Sequence, residues 1–243
     1  MINTALIFAA GFGKRMGHIT QEIPKSLIKI HGKPILYYAL ESVLRGGFKQ
    51  VIINTHYLYE QINAAVAAFN NPTDTKIILL HEPVILETGG AVKNALKYID
   101  QDIVATINSD TIIESEHDFF ADMRAAWDPQ KMDILFLLHD IKKAVGYTGR
   151  GDFDLLDTGR VYKPALAKVF KYMNAGSHIL KTSIIEANPR DVFSLGEYYG
   201  GDRLYGIVNQ GNWYHVSCPE DISETEKHLA PSLREVKQSI SET

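Results

Sequence analysis

Short apolar runs and helix-spaced apolar positions take turns along the first 140 residues. Ala5 to Ala10 is a continuous apolar run that stops at glycines, as a strand buried on both faces does. Residues 34–44 carry apolar side chains at helical spacing and halt at Gly46-Gly47, a helix C-terminal signal. The same reading predicts strands at 51–54, 76–80, 103–107 and 132–138, and helices at 61–69, 90–99 and 119–127. A strand–helix–strand rhythm implies a parallel sheet with helices on both faces. After Asp140 the rhythm changes. Residues 151–161 alternate poorly around the turn signal Asp157-Thr158-Gly159, and Asn209-Gln210-Gly211-Asn212 reads as a second hairpin-like turn. From Glu220 onward the chain is polar and helical, with an end expected to fray. No repeat, linker or low-complexity stretch interrupts it, so residues 1–243 are expected to form a single domain.

Composition narrows the class. A chain of 243 residues with 45% hydrophobic and 22% charged residues is ordinary for a globular α/β protein. The net charge of -4 argues against a nucleic-acid partner, which favours a basic face, but leaves small anions open because local charge decides their binding. The one cysteine, Cys218, rules out an internal disulfide and fits a reducing compartment. The opening run lacks a basic lead-in, and no stretch reaches the roughly 20 apolar residues of a membrane helix. The expectation is a cytoplasmic protein without a membrane partner, monomeric or a small homo-oligomer.

The chemistry sits first in the loop after the opening strand. Ala9-Ala10-Gly11-Phe12-Gly13-Lys14-Arg15-Met16 follows it directly, and Pro24-Lys25 comes soon after. In an open parallel sheet, ligands collect at the carboxyl ends of the strands. Glycines there let the backbone approach a phosphate and aim N–H groups at it, while Arg15 and Lys25 add positive charge for a triphosphate. The string is neither a dinucleotide fingerprint nor a Walker loop, because Lys14 is not followed by Ser or Thr. By itself Gly11-x-Gly13 also fits a plain turn. Asp110 ends an apolar strand as Asn108-Ser109-Asp110, a natural place for a Mg²⁺ ligand and equally for a capping carboxylate.

Taken together, Gly11-x-Gly13-x-Arg15-Met16, Pro24-Lys25-Ser26-Leu27 and Gly32-Lys33-Pro34-Ile35 resemble the signature of the sugar-1-phosphate nucleotidylyltransferases. That resemblance implies a Rossmann-like three-layer nucleotide-diphospho-sugar transferase fold, with a predominantly parallel mixed sheet flanked by helices. It implies a nucleotide-binding half at about 1–140 and a sugar-phosphate-binding half at about 141–243. The glycine loop, with Ala9, Ala10, Gly11, Gly13 and Lys14, would hold the nucleotide, and Arg15 the triphosphate. Lys25 would stabilise the α-phosphate as the acceptor attacks. Asp110 would bind Mg²⁺. The second metal ligand of the family falls in a Gly-x-Trp-x-Asp string, and here Gly211-Asn212-Trp213-Tyr214-His215 puts His215 at that place. Imidazole suits Mn²⁺ or Zn²⁺ better than Mg²⁺. Three readings stay open: one strong carboxylate with water-mediated contacts, a softer metal such as Mn²⁺, or lost activity. Related uridylyltransferases carry a similar Trp-x-His-Val string, which favours an active enzyme.

Leu86-Glu87-Thr88-Gly89-Gly90-Ala91 opens a helix whose glycine N–H groups, together with Thr88, are expected at the base. Glu82 can accept the ring N–H of uracil and would repel cytosine, or it is a solvated loop charge. Leu86-Glu87-Thr88-Gly89-Gly90, Asp128-Pro129-x-x-Met132-Asp133, the stretch from Ala144 to Phe153 and Asn174-Ala175-Gly176 look like the bacterial N-acetylmuramate-1-phosphate uridylyltransferases. That likeness favours UTP and N-acetylmuramate 1-phosphate, with Asn108, Gly146, Tyr147, Asn174 and Glu186 facing the sugar. Mannose, heptose or glucose 1-phosphate with another triphosphate is the rival enzyme reading, and a non-catalytic nucleotide-sugar binder is the rival from another class.

Overall fold

The computed structural model describes residues 2–115 and 117–230. In chain order the strands are β1 (Thr4–Phe8), β2 (Gln50–Thr55), β3 (Lys76–His81), β4 (Ile103–Asn108), β5 (Thr111–Glu114), β6 (Ile134–Asp140), β7 (Tyr172–Lys181), β8 (Leu204–Val208) and β9 (Asn212–His215). The helices are α1 (Ile35–Arg45), α2 (Tyr59–Ala68), α3 (Glu87–Ala95), α4 (Phe119–Ala126), α5 (Thr182–Glu186) and α6 (Pro219–His228). Seven strands make one mixed sheet in the order β8-β6-β7-β4-β1-β2-β3. β1 pairs in parallel with β2 and β4, β2 with β3, and β8 with β6, whereas β7 runs antiparallel to both β4 and β6.

The layers follow from side-chain alternation. Ala5 and Ile7 of β1 point into a cluster with Leu36, Leu40, Val43 and Phe120, so α1 and α4 cover that face. Leu6, between them, points into a second cluster with Val92, Ala95 and Ile185, so α3 and α5 cover the other. A strand covered on both faces must be apolar throughout, which is why the opening run reads without alternation. α1 buries Ile35, Leu36, Ala39, Leu40, Val43 and Leu44, an i, i+3, i+4 stripe, and ends before Gly47 at φ +67. Each such side chain contributes on the order of 1.5–3 kcal/mol by leaving water.

The second half departs from the hydrophobic pattern. β7 is the longest strand in the sheet, yet its sequence Tyr-Met-Asn-Ala-Gly-Ser-His holds polar residues that hide it, and a bulge lies between Asn174 and His178. The expected hairpin at 209–212 is not one. β8 joins the main sheet, and β9 instead pairs antiparallel with β5 in a separate ribbon, Trp213 opposite Ile113 and His215 opposite Thr111. The turn at 157–159 does join two short antiparallel strands, Asp154–Leu155 and Val161–Tyr162. The predicted helix 90–99 begins earlier, at Glu87, and passes into a 3₁₀ turn at Leu96–Tyr98. Of the segment expected to fray, residues 231–243 lie outside the described residues.

Candidate functional site

The carboxyl ends of β1, β2 and β4 lie side by side, with Phe8 opposite Asn54 on one flank and Asn108 on the other. A cavity of about 260 Å³ opens there. Phe8, Ala9, Ala10 and Gly11 form its floor, Asn108, Ser109 and Asp110 one wall, and Asn54, Glu82, Ile85, Glu87 and Thr88 the other, with Lys25 and Ser26 completing the lining. Ser109 ties its wall to the floor, since its hydroxyl donates to the Phe8 carbonyl at 2.6 Å.

Lys25 and Asp110 meet across the cavity. Lys25 Nζ donates to Asp110 Oδ2 at 2.6 Å, and His215 Nε2 stands 3.7 Å from the same oxygen. Burial works to raise the Asp110 carboxyl, but the charge of Lys25 and the imidazole of His215 outweigh it and hold the group well below the usual carboxylate range. Asp110 is therefore ionised, with about a quarter of its side chain open to solvent. Gly13 shapes the approach of Lys25. It adopts φ +63 to start the 3₁₀ turn Lys14–Met16, and a Cβ there would lie 2.8 Å from Lys25 Cβ. A side chain at position 13 would push Lys25 away from Asp110 as well as strain the backbone.

His215 is placed by its neighbours on the ribbon. Its amide donates to the Val145 carbonyl at 3.1 Å, and its ring lies against Trp213 with centroids 5.6 Å apart. Trp213 is pinned in turn, because Nε1 donates to the Ala175 carbonyl at 3.0 Å. Gly146, expected to face a sugar, packs instead beneath His215: it has φ +76, and a Cβ would sit 2.5 Å from the His215 carbonyl oxygen. Gly146→Ala is expected to shift the end of β9 and lower activity about tenfold or more, since small misplacements of reacting groups are costly. A matched crystal structure showing an unmoved His215 would contradict this.

Glu82 is fully buried, so it is not a solvated loop charge. Its carboxylate accepts from Asn54 Nδ2 at 2.8 Å and from the Leu86 amide at 3.2 Å, and Asn54 Oδ1 accepts from the Ala9 amide at 2.9 Å. Burial pushes the Glu82 carboxyl upward, and these donors offset part of the shift. The chain Glu82–Asn54–Ala9 fixes the cavity floor relative to its wall. Asn54 was legible in principle, as a polar residue closing an apolar strand beside the glycine loop.

Other expected residues fall outside the cavity lining. Lys14 and Arg15 lie on the exposed 3₁₀ turn beyond Gly13, with Lys14 Nζ 5.5 Å from the Phe12 ring. The Gly89 amide, expected at the base, donates to the Phe193 carbonyl at 2.9 Å, so it is already spoken for; Thr88 does line the wall, and its hydroxyl accepts from the Leu195 amide. Tyr147 accepts from the Gly151 amide within its own loop and meets Trp213 edge to face. Glu186, expected to face the sugar, is not among the residues that line the cavity. β7 is antiparallel to β4, so Lys181, where α5 begins, pairs with Ile103 at the end of the sheet away from Asn108, and Glu186 ends α5 exposed.

Asn174 also turns inward. Its Oδ1 accepts from the Gly176 amide, and its Nδ2 donates to His178 Nε2 at 2.9 Å and to the Tyr199 hydroxyl at 3.2 Å. With Nε2 accepting, Nδ1 carries the proton and donates to Thr106 Oγ1 at 2.9 Å. His178 is buried and neutral, its pKa lowered from 6.5 to about 3 by loss of solvation. The unfolded chain takes up this proton first, so stability falls as pH drops from 6.5 toward 3. His178→Gln is expected to flatten that limb by up to about 1.4 kcal/mol per pH unit. Urea midpoints measured across the window check it, and parallel profiles would refute it.

No helix among the described residues is long and apolar enough to cross a membrane. A family profile described as Nucleotidyl transferase matches residues 4–215. The N-acetylmuramate alpha-1-phosphate uridylyltransferase of Caulobacter vibrioides is 30% identical over 233 residues, covering 93% of this chain and 96% of the relative. The D-glycero-alpha-D-manno-heptose 1-phosphate guanylyltransferase of Aneurinibacillus thermoaerophilus is 26% identical, covering 93% and 97%. Among solved structures, HddC from Yersinia pseudotuberculosis complexed with GMP-PN superposes with a TM-score of 0.76 at 27% identity, covering 93% of this chain and 99% of that one. UTP-bound UGPase from Acinetobacter baumannii gives a TM-score of 0.76 at 18% identity, covering 100% and 99%, a likeness of fold.

Proposed function

Because the chain belongs to the nucleotidyl transferase family, we propose that it transfers the uridylyl group of UTP to a sugar 1-phosphate, N-acetylmuramate 1-phosphate in particular, as a cytoplasmic enzyme of cell-wall recycling. The observation that carries this reading is the Lys25–Asp110 pair, 2.6 Å apart at the end of a cavity floored by the loop after β1. A cation and an ionised carboxylate there can serve phosphates and a divalent ion together. The uridine choice is supported by the 30% identical relative of that name, and Glu82 is among the residues lining the cavity. Asn108 lines the same cavity beside Asp110, where a sugar phosphate would meet the nucleotide. We read residues 1–243 as one domain serving both substrates.

Nucleotidyl transfer asks for positioning and charge neutralisation more than for covalent chemistry. An oxygen of the sugar 1-phosphate attacks the α-phosphorus, the bond from that phosphorus to the bridging oxygen of pyrophosphate breaks, and pyrophosphate leaves. The attacking oxygen is already anionic at neutral pH, so no general base is needed. Lys25 Nζ neutralises charge that builds on the α-phosphate. Arg15, exposed on the turn that follows the glycine loop, would meet the outer phosphates.

Asp110 and His215 fit a divalent ion, Mg²⁺ with Mn²⁺ as the alternative. Asp110 is held ionised, and both side chains point at one place. Among the described residues no group of three or more His, Cys, Asp or Glu side chains could hold a metal by itself. The fit is thus for an ion that completes its shell with phosphate oxygens, as Mg²⁺ commonly does. When bound, such an ion would neutralise phosphate charge and orient the leaving group. The test is pyrophosphate release from UTP, CTP, GTP, ATP and dTTP, each paired with N-acetylmuramate, mannose, heptose and glucose 1-phosphate. Fastest turnover with UTP and N-acetylmuramate 1-phosphate is expected. Release only with GTP and a heptose phosphate would overturn the substrate, and binding of UDP-sugars without release would favour the non-catalytic reading.

A further inference from the structure

We propose that Ser26 is a ligand-binding residue whose hydroxyl donates a hydrogen bond to a phosphate oxygen of the nucleotide held by Lys25. Eight buried side-chain polar atoms among the described residues have no hydrogen-bond partner, and of the residues that carry them Ser26 is the one that lines the cavity. Ser26 is 3% exposed, so solvent does not satisfy its Oγ. Its surroundings make the missing bond notable. Ser26 sits in the middle of the 3₁₀ turn Lys25–Leu27, where a serine hydroxyl usually folds back onto a carbonyl of the preceding turn. Here the turn closes on its own amides, Leu27 donating to the Pro24 carbonyl at 2.9 Å and Ile28 to the Lys25 carbonyl at 3.1 Å, and the Ser26 hydroxyl takes no carbonyl at all. A buried hydroxyl left unpaired is costly, and the folded chain keeps one at the Lys25 end of the cavity lining.

The chemistry of that end names the ligand class. Lys25 supplies positive charge, and the neighbouring Gly11 floor presents backbone rather than side chain, so an anion with several oxygens is what the hydroxyl would meet there. A phosphate oxygen accepts from both the ammonium and the hydroxyl. The inference rests on the proposed nucleotide site, and it adds a hydroxyl donor there beside Lys25.

The experiment measures thermal shift and calorimetric binding of UTP, inorganic pyrophosphate and uridine to the wild type, Ser26→Ala and Ser26→Cys. Without ligand, Ser26→Ala is expected to melt no lower than the wild type, because it removes an unpaired polar group. Its Kd for UTP and for pyrophosphate is expected to rise about 3- to 10-fold, the worth of one hydrogen bond, with uridine unchanged. Ser26→Cys keeps the size and weakens the donor, so it should fall between the two and stands in if the alanine variant does not fold. Unchanged affinity for UTP and pyrophosphate in both variants would overturn the proposal. So would an equal loss for uridine, which would put the hydroxyl on the nucleoside, or a lower melting point for free Ser26→Ala, which would reveal a protein partner. If the wild type itself binds neither UTP nor pyrophosphate, the nucleotide site fails, which is a different result from an unaltered Ser26 variant.

Discussion

Lys25→Ala is expected to lower the rate of pyrophosphate release by on the order of 10³-fold while the protein stays folded. Lys25 Nζ belongs to a residue that lines the cavity, and it is already positioned, held 2.6 Å from Asp110. A charge fixed before the reaction needs no reorganisation as charge builds on the phosphate, which is why single donors of this kind carry so much of a rate. The effect on folding should be much smaller. Breaking a fully buried ion pair costs about 3–5 kcal/mol, because a bare charge remains. Asp110 keeps 26% of its side chain exposed and retains His215 at 3.7 Å, so water and imidazole take up most of the deficit. Lys25→Arg should not restore the rate, since the guanidinium is a wide fork where a point charge is needed. Steady-state assays alongside urea unfolding separate the two quantities. A Lys25→Ala enzyme within tenfold of wild type would remove the residue from the chemistry.

Asp110→Asn is expected to be as severe, about 10³-fold or more in rate, through a different route. The substitution keeps shape and removes charge, so Lys25 loses its anchor and a divalent ion loses its one carboxylate at this site. Stability should fall modestly at neutral pH, because Lys25 and His215 hold the Asp110 carboxyl below its usual range and that paired charge supports the fold. The second readout is Mg²⁺ or Mn²⁺ titration in the presence of UTP: the metal-dependent part of the thermal shift should vanish in Asp110→Asn and persist in Lys25→Ala. Retention of that shift in the asparagine variant would move the ion elsewhere.

These residues and Glu186 differ in where the fold places them. Lys25, Asp110 and the alanine–glycine loop line one cavity, the loop and Asp110 each coming just after an apolar strand. Glu186, expected at the sugar by resemblance, is not brought to that cavity, because β7 runs against β4 and carries the following helix to the far end of the sheet. Asn174 shows a subtler gap. Expected to face the sugar, it sits beside a bulge, and its amide reaches His178 and Tyr199. Gly89 and Gly146 were noticed as glycines by the site, yet each is needed for close backbone packing, against Phe193 and His215 respectively.

Period and punctuation in the chain alone determined the alternating first half, the strand covered on both faces and the glycine loop, because those features are set by residues near in sequence; the meeting of Lys25 with Asp110, 85 residues apart, is not among them. The tertiary structure decided the direction of β7, the pairing of β9 with β5 that brings His215 to Asp110, the burial of Glu82 and the unpaired hydroxyl of Ser26. Each of those depends on contacts between segments far apart along the chain, and such contacts leave no periodic trace in a single sequence.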